Sequence, residues 1–289
     1  MNATSSSRPS MAEVQSNFWT WFDENKDKWA RWILISLVVA YVAFLVVTPI
    51  LALALGALEK GLGEIVSSLN QPEVFQAFWN TVWISLVVVI VHAIFGTIVA
   101  WVFVRHRFPG RNLINGLVDM PFAVSPVVAG YMLLLLFGRN GLLAPLIDRL
   151  GIQVAFALPG MVLATLFVTT PFMIRELIPV LEAFDTRQEK AAATLGANGW
   201  QTFWRVTFPA LRWGMIYGIT LTFARALGEF GAVLVIGGGV QGRTETATLF
   251  IYRALDERQY IGAYSAALLL GVFSLILVLG SDRLRRKSH

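Results

Sequence analysis

Few ionisable side chains interrupt the long apolar runs of this chain, and those few have chemistry to offer. Arg225 and Glu229 are four residues apart, so on a helix they share one face and can pair. A charge within a membrane span costs roughly 2.5–3.5 kcal/mol on insertion scales, so each needs a compensating role. Arg212 can snorkel to the nearer interface. Arg225 follows thirteen residues later, about 20 Å along a helix at 1.5 Å per residue, and is too deep to do so on the same side. Two readings stay open. Arg225 offsets the charge of an anion crossing the membrane with Glu229 beside it, or the two form a structural ion pair that holds a helix end. A conducting site has to be weak, because an ion held tightly does not leave.

Asp119 stands before Pro121 and Pro126, a broken-helix pattern that frees backbone amides inside a span. The N-terminus of the second half-helix attracts anions, and Ser125 adds a hydroxyl donor there. Asp119 itself would repel a dianion, so its expected role is structural, with an arginine on a neighbouring helix as partner. His92 lies within an apolar run and is expected to be satisfied by a helix–helix hydrogen bond rather than to relay protons. Gly228, Gly231 and Gly237–Gly239 suit close packing or a bent outer loop. No G-x-x-x-x-G-K-[ST] stretch is present, so ATP hydrolysis is not expected of this chain.

The polar passage Glu182–Pro209 offers a different chemistry, that of docking. Glu189, Lys190, Ala191, Ala192, Ala193 and Thr194 read as a short helix, and Gly196 as its C-cap, where positive φ carries no Cβ penalty. Small side chains on a projecting helix let a partner's surface approach its backbone closely.

The elements that position these groups are membrane helices. The 289 residues are 56% hydrophobic and 14% charged, where soluble domains run nearer a quarter charged. The absence of cysteine excludes disulfides and thiolate metal sites. His92, His106 and His289 are too scattered for a metal centre. The net charge of +5 sits beside apolar runs, which speaks for membrane orientation rather than nucleic acid. Apolar segments at 33–58, 79–104, 113–137, 156–174, 210–227 and 261–280 predict an all-α polytopic protein with six transmembrane helices. Pro49 predicts a kink in the first, and Asp119, Pro121 and Pro126 break the third; Arg175 and Glu176 close the fourth. Residues 1–30 read as an N-terminal tail, polar at first and then an interfacial aromatic helix (Trp19, Trp21, Trp29), residues 31–284 as the membrane domain, and 285–289 as a basic tail. With six spans, Lys26–Arg31, Arg105–Arg111, Arg187–Arg205 and Arg283–Lys287 all fall on one side, which the positive-inside rule makes cytoplasmic. Both termini and the 182–209 loop, between the fourth and fifth helices, belong to that side.

Ala191–Ala192, Gly196, and Pro209 thirteen residues after that glycine resemble the EAA loop of ABC importer permeases, with Val206 and Phe208 at its two apolar positions. Lys190 stands where that pattern has Glu, with Glu189 immediately before it. Asp119–Gly130, Phe156–Thr165, Arg175–Val180, Ala193–Trp200, Arg212–Trp213, Ala226–Val233 and Ala263–Ala267 look like the sulfate and molybdate branch, nearest to sulfate/thiosulfate permeases. The resemblance implies a type I importer permease whose coupling helix docks on an ATPase through Glu189, Lys190, Ala191, Ala192, Gly196, Ala197 and Pro209. It also implies a second, homologous permease (CysT-type), two copies of an ABC ATPase that binds ATP and Mg, and a periplasmic sulfate-binding protein, with no cofactor in this chain. Ser125, Arg225 and Glu229 are the candidates for the translocation path.

Sulfate is a dianion that an inside-negative potential repels by about 2.3 kcal/mol per charge per 100 mV, so uptake needs an energy source. Molybdate or tungstate is the near alternative as cargo. A secondary transporter would need carboxylates at the bilayer centre, for which Asp119 and Glu229 are the candidates. A membrane enzyme would need a converging catalytic set, which the sequence does not offer.

Overall fold

A computed structural model describes residues 11–286, and every element in it is helical. Residues 1–10 of the polar lead and the last three of the basic tail lie outside the described residues. The chain divides into two units, Met1–Leu55 and Gly56–His289.

The first unit is carried by α1 (Met11–Leu58), which passes Pro49 without a break. From Lys28 to Ala52 every side chain on it is exposed.

The second unit begins with α2 (Leu62–Leu69) and α3 (Pro72–Val91). A π-helical turn at His92–Gly96 leads into α4 (Thr97–Arg105). Then come α5 (Arg111–Ala123), α6 (Pro126–Phe137), α7 (Ala144–Leu150), α8 (Leu158–Ala183) and α9 (Arg187–Thr194). A short α10 (Gly199–Thr202), a second π turn at Phe203–Thr207 and α11 (Phe208–Leu227) follow one another without a gap. The chain closes with α12 (Gly231–Gly237), α13 (Ala247–Asp256) and α14 (Tyr260–Arg286).

Among the described residues four helical segments are long and apolar enough to span a membrane: Lys28–Leu58, Pro72–Arg105, Leu158–Ala183 and Tyr260–Gly280. The count reaches six when α5 with α6, and Gly199–Leu227 with α12, are each taken as one bent span. The α5–α6 bend is 115°, sharper than a proline kink in a continuous helix. Pro126 disfavours the α region for the residue before it, and Ser125 is extended at φ −59°, ψ 137°, next to an extended Val124. Two extended residues in a row turn the chain; a single missing hydrogen bond would only bend it.

The fourth segment does not end at Arg175 and Glu176 as its charges suggest, because α8 continues to Ala183. Charge marks a boundary only when it is solvated, and Arg175 has a protein partner instead.

α8 forms the wall common to two cores. One core joins Met161, Ala164 and Val168 to Ile84 and Val88 of α3 and to Val233 and Ile236 of α12. The other joins Met173, Leu177 and Leu181 to Ala100 and Phe103 of α4 and to Leu211 of α11. In lipid such contacts gain little from removal of water, so close packing and small residues have to carry the association. Gly130 shows the consequence: a Cβ there would lie 2.8 Å from both Ala232 O and the Val235 Cβ, so α6 and α12 meet backbone to side chain.

Candidate functional site

The passage from residue 182 to 209 folds as a projecting helix and its return. Asp185 accepts a hydrogen bond from the Arg187 amide at 2.9 Å, which starts α9. Its end is closed by paired bonds: Ala197 N–H donates to Ala192 O and Gly196 N–H to Ala193 O, both 3.0 Å. This is a Schellman closure, and it requires the left-handed residue that Gly196 supplies at φ +85°. No atom lies within 4 Å of where a Gly196 Cβ would be. Ala191, Lys190 and Leu195 face solvent, with Leu195 89% exposed, and Ala192 and Ala197 are half-buried. Asn198 and Gln201 then form a reciprocal capping box that starts α10. Trp204 packs tilted against Phe208 at 4.8 Å and edge to face against Trp200 at 5.6 Å, holding α10 to the start of α11, where Pro209 sits in the first turn.

Glu189 behaves unlike its neighbours. Its Oε1 accepts the Thr207 hydroxyl at 2.8 Å and lies 3.4 Å from Arg105 Nη2 at the end of α4. Nothing in the sequence joins Glu189 to Arg105, 84 residues away.

The intramembrane candidates also come together. Arg225 and Ser125 line one cavity of about 470 Å³, with Phe122, Pro126, Val168 and Phe172 among the other walls. Arg225 Nη1 is 2.9 Å from Glu229 Oε2. The N–H is not aimed at that oxygen, so the contact is Coulombic rather than a formed hydrogen bond. Glu229, only 3% exposed, uses its other oxygen to accept the Ala232 amide at 3.1 Å, and its backbone carbonyl accepts the Thr248 hydroxyl at 2.7 Å. The pair therefore fixes the break between α11 and α12 while leaving the guanidinium of Arg225 on the cavity wall.

Asp119 is held by Arg175, as its acidity beside a broken helix requires. Arg175 donates to both carboxylate oxygens, at 2.7 and 2.5 Å, and to Asn115 Oδ1 at 2.9 Å. Between this pair and the Ser125 cavity stand Phe122 and Phe172, edge to face at 5.5 Å. On the far side, Arg175, Arg111, Asn112, Asn115 and Glu182 line a polar cavity of about 280 Å³. The order along the α5–α8 seam is thus cavity, ion pair, aromatic pair, cavity.

His92 Nε2 lies 2.9 Å from Thr169 Oγ1 and 3.2 Å from Leu166 O. Thr169 gives its own hydroxyl proton to Thr165 O at 2.7 Å, which makes Nε2 the N–H donor. The π turn is thereby tied to α8.

One cluster escapes sequence reasoning, although Arg253 and Glu257 have the same four-residue spacing as Arg225 and Glu229. Arg253 bridges Glu245 (2.7 Å), Glu257 (3.1 Å) and Glu73 (3.6 Å). The hydrogen bonds that Arg253 donates to Glu245, and the charge of that carboxylate, hold the guanidinium further above its already high ordinary pKa. Asn80 Nδ2 donates to Glu245 O at 2.9 Å and Thr81 accepts the Ala247 amide at 2.8 Å, so the glycine-rich loop is stitched to α3.

Residues 92–288 match the family model described as binding-protein-dependent transport system inner membrane component. The sulfate transport system permease protein CysW of Synechococcus elongatus is 46% identical over 84% of this chain and 85% of its own length. The protein of the same name from Escherichia coli (strain K12) is 43% identical over 88% of each. Among solved structures, a chain of a bacterial alginate ABC transporter in complex with its pentasaccharide-bound periplasmic protein superposes with a TM-score of 0.76, at 16% identity, over 92% of this chain and 97% of that one. The fold is that of a type I ABC importer permease. The chain is a multi-pass membrane protein that belongs to the binding-protein-dependent transport system inner membrane components and, within them, to the CysW permeases.

Proposed function

We propose that this chain is the membrane-spanning permease of an ATP-driven importer that carries sulfate, and with it thiosulfate, into the cytoplasm. The observation that carries the reading is α9: a helix whose second half is small residues (Ala191, Ala192, Ala193, Thr194), closed by Gly196 and followed by a Leu195 that is almost fully exposed. Leu195 and, five residues on, Trp200 (71% exposed) both present apolar side chains to solvent in this passage, which suits a surface meant for a partner. An ATPase that docks there supplies the work, so ATP and Mg belong to that subunit.

The substrate reading rests on the sulfate transport permeases that resemble this chain and on the cavity shared by Ser125 and Arg225. A guanidinium already shared with Glu229 offers an anion a partial charge, the weak site that conduction needs. A second, homologous permease, two ATPase copies and a periplasmic sulfate-binding protein complete the complex, with both termini and α9 on the cytoplasmic side of the plasma membrane. The exposed apolar length of α1 fits lipid and a neighbouring permease.

The test is uptake by vesicles that contain the reconstituted complex. Labelled sulfate should accumulate only with ATP inside and binding protein outside, and unlabelled thiosulfate should compete. Accumulation driven by an ion gradient alone refutes the importer reading. Competition by molybdate but not thiosulfate moves the substrate to the molybdate class.

A further inference from the structure

We propose that Glu189 is an internal latch rather than a contact to the ATPase: it joins α9 to the ends of two membrane helices, so that movement of the docked helix is passed on to them. The proposal rests on the importer reading above, because it needs an ATPase that moves α9.

A single carboxylate oxygen carries the connection. Oε1 of Glu189 accepts the Thr207 hydroxyl at 2.8 Å, and Thr207 is buried in the π turn that opens into α11. The same oxygen lies 3.4 Å from Nη2 of Arg105, in the last turn of α4. Arg105 is itself sandwiched, its guanidinium 5.7 Å over the Phe184 ring that ends α8. Both partners of the ion pair are mostly enclosed, with side chains 14% and 21% exposed. α4, α8, α9 and the start of α11 therefore converge on one group.

A residue meant for a partner's cleft would stand out from the helix, as Lys190, Ala191 and Leu195 do. Glu189 points the other way, and its charge is already used. An α9 held by backbone alone would swing about the loops at residues 184–186 and 195–198. With the latch closed, the same push moves α4 and α11 as levers.

The sequence contains no cysteine, which makes the test direct. The assembled transporter is prepared with Arg105→Cys and Glu189→Cys together, and ATP hydrolysed per sulfate accumulated is measured before and after closure with a short bis-maleimide. ATPase co-purification is measured on the same samples. Before closure the ATP consumed per sulfate should rise several-fold, with ATPase yield within twofold of the parent. Closure should bring the ratio back, since it restores a tether without restoring any charge. A ratio that does not recover on closure overturns the latch.

Single variants give the second arm. Glu189→Gln and Arg105→Gln should uncouple alike, and exchange of the two charges (Glu189→Arg with Arg105→Glu) should recover part of the loss. Loss of the ATPase subunit in Glu189→Gln but not in Arg105→Gln identifies a partner contact and overturns the proposal. A parent complex that binds no ATPase at all fails the importer reading instead, so the two failures are distinct.

Discussion

Arg225 and Glu229 show how one pair of residues serves packing and path together. Removal of Arg225 leaves a nearly enclosed carboxylate whose remaining partner is one amide. Breaking a buried pair in this way costs on the order of 3–5 kcal/mol, more than neutralising both members. Arg225→Ala should therefore lower the amount of inserted protein, and Arg225→Ala with Glu229→Gln should restore it. If Arg225 lines the anion path, the double variant should still transport sulfate at least tenfold more slowly at normal complex yield. Transport at the parental rate would leave the pair a purely structural role. Asp119 and Arg175 are part-exposed, with side chains 43% and 33% accessible, so separating them costs less. Asp119→Asn should still be tolerated better than Arg175→Ala, which leaves the carboxylate without its ion-pair partner, and yields of inserted protein compare the two.

At the scale of elements, two glycines carry the geometry. Gly196 closes α9 in the left-handed region, where other residues pay about 1–2 kcal/mol and Asn and Asp the least. Its Cβ position is open, so Gly196→Asp and Gly196→Asn should both insert normally. Only the charged variant should also lose most of the co-purifying ATPase, because a carboxylate projects into the docked surface. Equal ATPase yields would remove the docking role of that face. Gly130 is the opposite case: Gly130→Val must push α6 off α12 and should lower thermal stability in detergent by a margin that Gly130→Ala only partly reaches. These elements also mark how far one-dimensional reading reaches. Apolar run length located the membrane segments, and Pro121 and Pro126 located the break in the third, since both signals are local. The 115° bend was not legible, because it depends on the backbone angles of Val124 and Ser125 as a pair. The helix runs about two turns past Arg175, where the apolar run stops, since hydropathy does not show that this charge is held by Asp119 on a neighbouring helix. Ser125 and Arg225 share a cavity although a hundred residues separate them, and Arg105 meets Glu189 across 84; no spacing rule reaches that far.

At the scale of the whole molecule, orientation is the property that gives each of these sites a side. On the topology proposed above, with the basic clusters inside, α9 is cytoplasmic and the turn after α6 lies outside. In this cysteine-free chain, Lys190→Cys should react with an impermeant maleimide only after the membrane is opened, and Asn140→Cys should react from outside in intact cells. Reversal of that pattern would invert the topology and remove α9 from the ATPase's reach.

The π turn at His92–Gly96 also sets the angular phase of the long α3–α4 rod. Val88 and Phe103 both face inward, fifteen residues apart. A regular α-helix would complete about 4.2 turns over that length and leave Phe103 roughly 60° off the inner face. One residue absorbed by the wide turn leaves fourteen, about 3.9 turns, which brings Phe103 to within about 40° of the inner face. The wide turn thus aims Arg105. Deletion of Ala93 removes the absorbed residue and lets the turn close as plain α-helix, so Arg105 should keep its aim and coupling should survive. Insertion of one alanine after Val99, within α4, should instead turn Arg105 by about 100° and uncouple transport as Arg105→Gln does.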